Sequence, residues 1–427
     1  MNTHQMEFSL RDHLRAARRE TADRFHGSVG FWIVSLTLFL LLAQSGAPSP
    51  LYPVYQQQLH LASAATTAIF SIYICGLLLS LLTVGSLSDY VGRRPVILAS
   101  ALLSVVSLLV FADAGSLAVL LVARALQGMA VGAGMGAIGA AMIDLEPVHG
   151  TRLAAVLNGA LPPAGLAVGA LASGFLVQDA PAPTVTVYVV FGVLLAVMAV
   201  MVVFISERGP RSAATPSAFI PRLAVPRETR RIFGAVAGCM VSSWALAGLY
   251  LGMAPTIMVG VLGISSHVVA GAAVATVTGV GALTGIVGRH RDARITMLVG
   301  AAALIIGPVL SVIALSQHSV WGFFASAPVA GVGFGAAFQG GLRLLLAKAP
   351  ANGRAGLLST VYLVSYIALG VPAVIAGWLV PQLGLGVVVD SYAAFVIVVA
   401  VLALALQWAL PRVGRTERLA DAAEDTQ

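Results

Sequence analysis

Gly85-Ser86-Leu87-Ser88-Asp89-Tyr90-Val91-Gly92-Arg93-Arg94 is a small polar island at the junction of two long apolar runs, placed at 64–86 and 95–112. Each run is long enough to cross a bilayer, which takes about 20 apolar residues in a helix. Gly92 permits a tight reversal between them. Asp89 lies at the edge of the apolar region and needs a partner, and Arg93 one turn later supplies it. The stretch therefore reads as a short loop joining two spanning helices. Ten further runs follow the same plan, at 31–48, 117–143, 153–177, 185–205, 232–258, 267–287, 295–315, 320–346, 354–380 and 387–410. Pro48, Pro50 and Pro53 interrupt the end of the first, so extended or kinked backbone is expected there.

Composition agrees with twelve spans. Hydrophobic residues make up 59% of the chain and charged ones only 10%, with a mean hydropathy of +0.94. A water-soluble protein carries about 25% charge, so the solvent for most of this surface is lipid. A β-barrel would alternate polar and apolar residues; these runs are continuously apolar. The 45 glycines suit close helix packing inside a bilayer. Cys75 and Cys239 fall within apolar runs and read as small hydrophobes, with no disulfide or metal site implied. The first 30 residues are rich in Arg and His and lack an apolar core, so they read as a cytoplasmic arm and not as a signal peptide.

Charge gives the orientation. With the N-terminus cytoplasmic, all of the 24 Lys and Arg except Arg124 and Arg343 fall in cytoplasmic segments. External loops carry only Asp113, Asp179 and Asp390. The positive-inside rule accounts for this pattern, and the net charge of +7 then requires no nucleic acid. Trp32, Trp321, Trp378 and Trp408 sit at span ends as an interfacial belt, whereas Trp244 lies near the middle of the seventh span.

The chain also repeats itself. Gly85-Ser-Leu87-Ser-Asp89-Tyr-Val91-Gly92-Arg93 aligns with Gly281-Ala-Leu283-Thr-Gly285-Ile-Val287-Gly288-Arg289. Gly132, Gly134 and Gly136 match Gly331, Gly333 and Gly335, and Gly174-Phe-Leu176 matches Gly377-Trp-Leu379. Three matches in order imply a duplication. The expected organisation is an all-α membrane protein of 12 transmembrane helices in two pseudo-symmetric six-helix bundles. A cytoplasmic arm (1–30) precedes the first bundle (31–205); a linker (206–231), the second bundle (232–411) and a cytoplasmic tail (412–427) follow. Repeated halves around a midplane site are the architecture of an alternating-access carrier.

Gly85-x-Leu87-x-Asp89-x-x-Gly92-Arg93-Arg94, between the second and third spans, resembles motif A of the major facilitator superfamily. The likeness extends over about residues 30 to 411. It implies that Asp89 approaches the positive end of the eleventh helix, a contact that locks the outward-facing state. Tyr90 replaces an Arg common in the family, and the second copy has Gly285 where the acid belongs, so a one-sided lock is expected. The alternative for Arg93 and Arg94 is a simple topology anchor. Asp144 and Arg152 look like members of the same charge network. Arg124-x-x-Gln127-Gly128-x-x-x-Gly132 on the fourth span resembles motif B. Inside a bilayer Arg124 costs roughly 2.5–3.5 kcal/mol and should face the interior or a wet cavity. The resemblance associates it with proton transfer or anion contact; a structural Arg bonded to carbonyls is the alternative. Gly165, Gly169 and Gly174 resemble motif C of antiporters, with Ala170 and Ser173 as departures.

In this fold Gln44, Tyr73, Asn158, Trp244, Gln339, Tyr362 and Tyr366 are the cavity candidates beside Arg124 and Gln127, with helix packing an equal alternative for each. Arg343, near an inner span end, reads as a snorkelling side chain. No Asp or Glu lies mid-span, which favours a neutral or weakly anionic substrate. The favoured function is proton-coupled efflux of small amphipathic compounds, as in a drug:proton antiporter. Symport of a sugar or organic acid is the alternative, and a membrane-embedded enzyme or sensor a remote one. No catalytic residue, metal site or cofactor is expected. The expected partners are a small-molecule substrate, protons and the lipid bilayer, for a monomer in a bacterial inner membrane with both termini cytoplasmic.

Overall fold

The computed structural model describes residues 28–85, 87–147, 153–205, 223–350 and 354–409. Most of the N-terminal arm, most of the linker, the tail and Arg152 lie outside the described residues. Twelve helices are long and apolar enough to span a membrane. They are α1 (Ser28–Gln58), α2 (Ser63–Val84), α3 (Arg93–Ala112), α4 (Leu117–Asp144), α5 (Leu153–Asp179) and α6 (Pro183–Val203). The second set is α7 (Arg230–Gly260), α8 (His267–Gly288), α9 (Ala293–Ser316), α10 (Val320–Lys348), α11 (Arg354–Leu383) and α12 (Leu385–Ala409). No strand occurs among the described residues.

The prolines of α1 do not produce extended backbone. Pro48 is helical at φ −70°, ψ −15°, and a 3-10 turn at Ser49–Leu51 leads into a further helical stretch, Tyr52–Gln58. Pro50 and Pro53 each fall in the first positions of these two pieces. A missing N–H costs nothing there and the fixed φ is already helical, so the span bends and continues.

Each bundle is tied by close helix pairs, α2–α4, α3–α4 and α3–α6 in the first, α8–α10, α9–α10 and α9–α12 in the second. The duplication visible in the sequence reappears as a contact. A Cβ on Gly136 would lie 3.2 Å from the Gly85 carbonyl oxygen, and one on Gly335 would lie 2.2 Å from that of Gly281. The aligned glycines thus make the same backbone approach, α4 on α2 and α10 on α8.

Two seams, α5–α8 and α2–α11, and a smaller one between the end of α1 and α7 join the bundles. They close at the end bearing Asp113, Asp179 and Asp390. There Ser49 Oγ donates to the Leu251 carbonyl at 2.8 Å, and Gln178 Oε1 accepts from Ser266 Oγ at 2.7 Å and from Val268 N at 3.4 Å. Gln178, at the end of α5, thereby helps cap α8. On the perimeter Trp32, Trp321 and Trp378 are exposed, as are Leu109, Val122, Phe204 and Val287. Such a surface is stable against lipid and not against water.

Candidate substrate cavity

Between the bundles lies a cavity of about 590 Å³, within the usual range of small-molecule sites. Its deep wall includes Leu42, Ser49, Tyr73 and Leu251. Toward the other end it is lined by Ile143, Ala155, Arg289, His290, Arg343, Leu346 and Leu358, which stand at the helix ends carrying the basic loops. The closed end and the open end are therefore opposite, and the cavity opens on the basic side.

Arg124 is 2% exposed. Its Nη1 donates to the Ser45 carbonyl at 3.2 Å and to Gln127 Oε1, and its Nη2 donates to the Tyr52 hydroxyl. The guanidinium carbon lies 5.1 Å from the Tyr73 ring centre and 5.8 Å from that of Tyr52, within cation–π range. Gln127 Nε2 donates to the Gln44 carbonyl at 3.0 Å and to Gln44 Oε1. Arg124 Nε has no partner, and among the described residues no carboxylate pairs with this buried cation. Arg124 thus bonds a backbone carbonyl and also lines the cavity.

The middle of the cavity is aromatic. Trp244 packs edge-on to Tyr366 and Phe338, with ring centres 4.8 and 5.3 Å away. Its indole nitrogen is buried without a partner. Tyr366 hydroxyl donates to Met135 Sδ at 3.4 Å, across the two bundles. Asn158, Gln339 and Tyr362 also line the space. Gln44 and Gln127 do not; both are fully buried and bonded to each other. Gln339 explains one departure from the repeat. A Cβ on Gly285 would lie 1.9 Å from Gln339 Nε2, so the position that would carry the second acid is taken by a neighbouring amide.

The family model described as Major Facilitator Superfamily matches residues 34–308. The chain belongs to the major facilitator superfamily. Over 103 residues it is 38% identical to the Multidrug resistance protein MdtL of Shewanella sp. (strain ANA-3), a stretch covering 24% of each chain. The match thus spans about a quarter of that curated relative's length.

The stretch that resembles motif A turns a tight corner between α2 and α3. Gly92 adopts φ +107°, a conformation that favours glycine, and turns the single helical turn Ser88–Val91 into α3. Arg93 Nη1 donates to Asp89 and to Ser88 Oγ at 2.9 Å, while its Nε reaches Asp144 Oδ2 at 3.4 Å. Gly85 and Leu87 precede this turn; Arg94 is the second residue of α3. Among the described residues the ion-pair partner of Asp89 is Arg93. The motif B glycines pack α4 on α2: a Cβ on Gly128 would lie 2.1 Å from the Tyr73 carbonyl oxygen and one on Gly132 2.3 Å from that of Leu77. Gly165 and Gly169 bring α5 onto α1, and Gly174 brings it onto α8.

Sequence reasoning missed Tyr52, Met135, Phe338, Arg289 and His290 as cavity or Arg124 neighbours. Tyr52 was hidden in the proline-rich end of α1, taken as the limit of a span. Phe338 carries a usable signal, since Phe334, Phe338 and Leu342 recur at helical spacing on a lining face of α10. Arg343 donates to the Gly288 and Arg291 carbonyls at 2.9 and 2.5 Å. It thereby holds the last carbonyl of α8 and one in the turn beyond it.

Proposed function

We propose that the chain is a secondary active transporter that exports small amphipathic compounds in exchange for protons, by alternating access. The observation that carries this reading is the cavity of about 590 Å³ between the bundles, open at the basic end and closed at the other. Its wall is mostly apolar and aromatic, with a few placed polar groups, as an amphipathic ligand requires. Trp244, Tyr362, Tyr366, Asn158 and Gln339 are the proposed substrate contacts, and Arg124, held in place by Gln127, a polar anchor. The basic end is assigned to the cytoplasm by the positive-inside rule, which puts the mouth where an exporter loads. In the same reading the protein works as a monomer in a bacterial inner membrane, with both termini cytoplasmic. Residues 31–205 and 232–411 are its two moving halves. The partial likeness to a protein named for multidrug resistance supports export.

The reading is tested in inverted vesicles with a fluorescent amphipathic dye as cargo. Uptake into the vesicles should follow an imposed proton gradient and stop when an uncoupler collapses it. Uptake unchanged by the uncoupler would overturn proton coupling, and gradient-driven release from the vesicles would overturn export.

A further inference from the structure

The formal charges on the cavity wall have one sign. Arg124, Arg289 and Arg343 line the space beside His290, and among the described residues no Asp or Glu does. Near the mouth the acids are already engaged: Asp292 Oδ1 caps α9 by accepting from Arg294 N at 2.9 Å and Ile295 N at 3.0 Å, and Asp144 pairs with Arg93. Arg343 is held on the carbonyls of Gly288, the last residue of α8, and of Arg291 in the turn beyond. Arg289 differs from these. Its Nε donates to His290 Nε2 at 2.7 Å, and no carboxylate pairs with it among the described residues. The positive-inside rule explains why a basic residue sits at this end of the membrane. It does not require the side chain to border the cavity.

We propose that Arg289, beside His290, captures the anionic group of an amphipathic organic anion, a carboxylate or sulfonate, at the mouth of the cavity. The inference rests on the transporter reading and narrows its substrate class. The aromatic walls at Trp244, Phe338 and Tyr366 receive the apolar body. Further in, Arg124 is a second cation, with no carboxylate partner among the described residues and an unpartnered Nε. A buried charge left uncompensated is costly, and an anionic ligand relieves that cost where a cationic one raises it. Organic cations are therefore disfavoured along the whole path.

The test is binding to the purified full chain in detergent, followed by thermal stability and tryptophan fluorescence, with three probes of one shape: 2-naphthoate, 2-naphthamide and 2-naphthylmethylammonium. Naphthoate is expected to stabilise the protein and to bind at least tenfold more tightly than the ammonium probe. Arg289→Gln should weaken naphthoate about three- to tenfold, as loss of a partly solvated charge-assisted bond does, and leave naphthamide unchanged. Equal or better binding of the ammonium probe overturns the proposal, as does no binding of naphthoate or an equal loss of naphthamide in the variant. Competition by chloride as effective as that by unlabelled naphthoate marks an inorganic-anion site and overturns the organic class. None of these outcomes depends on a gradient, so a failure of proton-coupled export in vesicles is read separately.

Discussion

Gly169→Ala perturbs the closest approach between α1 and α5. A Cβ at this position would lie 1.8 Å from the Ala43 carbonyl oxygen, 2.5 Å from its carbon and 2.7 Å from its Cα. All three are backbone atoms, so no side chain can rotate away. Ordinary contact begins near 3.5 Å, and relief requires the helices to part by about 1.5 Å. A gap of even 0.5–1 Å forfeits roughly a quarter to a half of the dispersion well for the atoms lining it. The Ser173 Oγ bond to the Ala47 carbonyl, one turn along the same contact at 2.5 Å, would stretch too and lose about 1 kcal/mol. Overpacking alone costs about 1–3 kcal/mol, so the total should reach about 3 kcal/mol or more. Gly386→Ala is the matched control, because a Cβ there meets nothing within 4 Å and should stay within about 0.5 kcal/mol of the parent. Thermal unfolding of both variants in detergent, followed by size-exclusion recovery after heating, reads the difference. If the two variants unfold together, the α1–α5 approach is not as close as described and the packing role assigned to Gly169 is wrong.

Gln178→Ala removes two acceptor contacts at the closed end, so about 1–2 kcal/mol of bias toward the state described here should be lost. Thiol labelling of Ser49→Cys, at this closed end, would rise in its presence; no change in labelling would mean that other contacts hold this end shut. Asp89→Asn should change thermal stability by less than about 1 kcal/mol, because the Asp89 side chain is 60% exposed and exposed ion pairs contribute little. A loss of 3 kcal/mol in the same unfolding assay would mean that Asp89 has a further, buried partner in the resting state.

The span count, the two halves and the corner around Asp89 were legible because each rests on local chemistry. Twenty apolar residues have one stable answer in lipid, and Asp89 and Arg93 are one helical turn apart. The wall of the cavity was legible only where a residue type is rare in its surroundings, as with Arg124, Trp244 and Tyr366. Gln44 has the same rarity but points into the first bundle, toward Gln127, and polarity alone cannot distinguish these two directions. Arg289 and His290 looked like loop residues because the sequence cannot say that the end of α8 borders the open mouth. Tyr52 was missed for a related reason: a proline usually ends a helix, and here two prolines fall where a new helical piece begins.

The matched contacts of Gly136 with Gly85 and of Gly335 with Gly281 bear on how the molecule can move. Helices that meet backbone to backbone leave no side chain between them to change rotamer, so neither can slide by a small repacking step. The α2–α4 and α8–α10 pairs therefore behave as struts, one in each half. Their compliance is low, and any displacement passes undiminished to the elements that have room to yield. Those are the seams, where Ser49, Gln178 and Ser266 make polar contacts that can break and re-form. Rocking of two stiff bodies about a soft joint is the motion that this mechanical division allows.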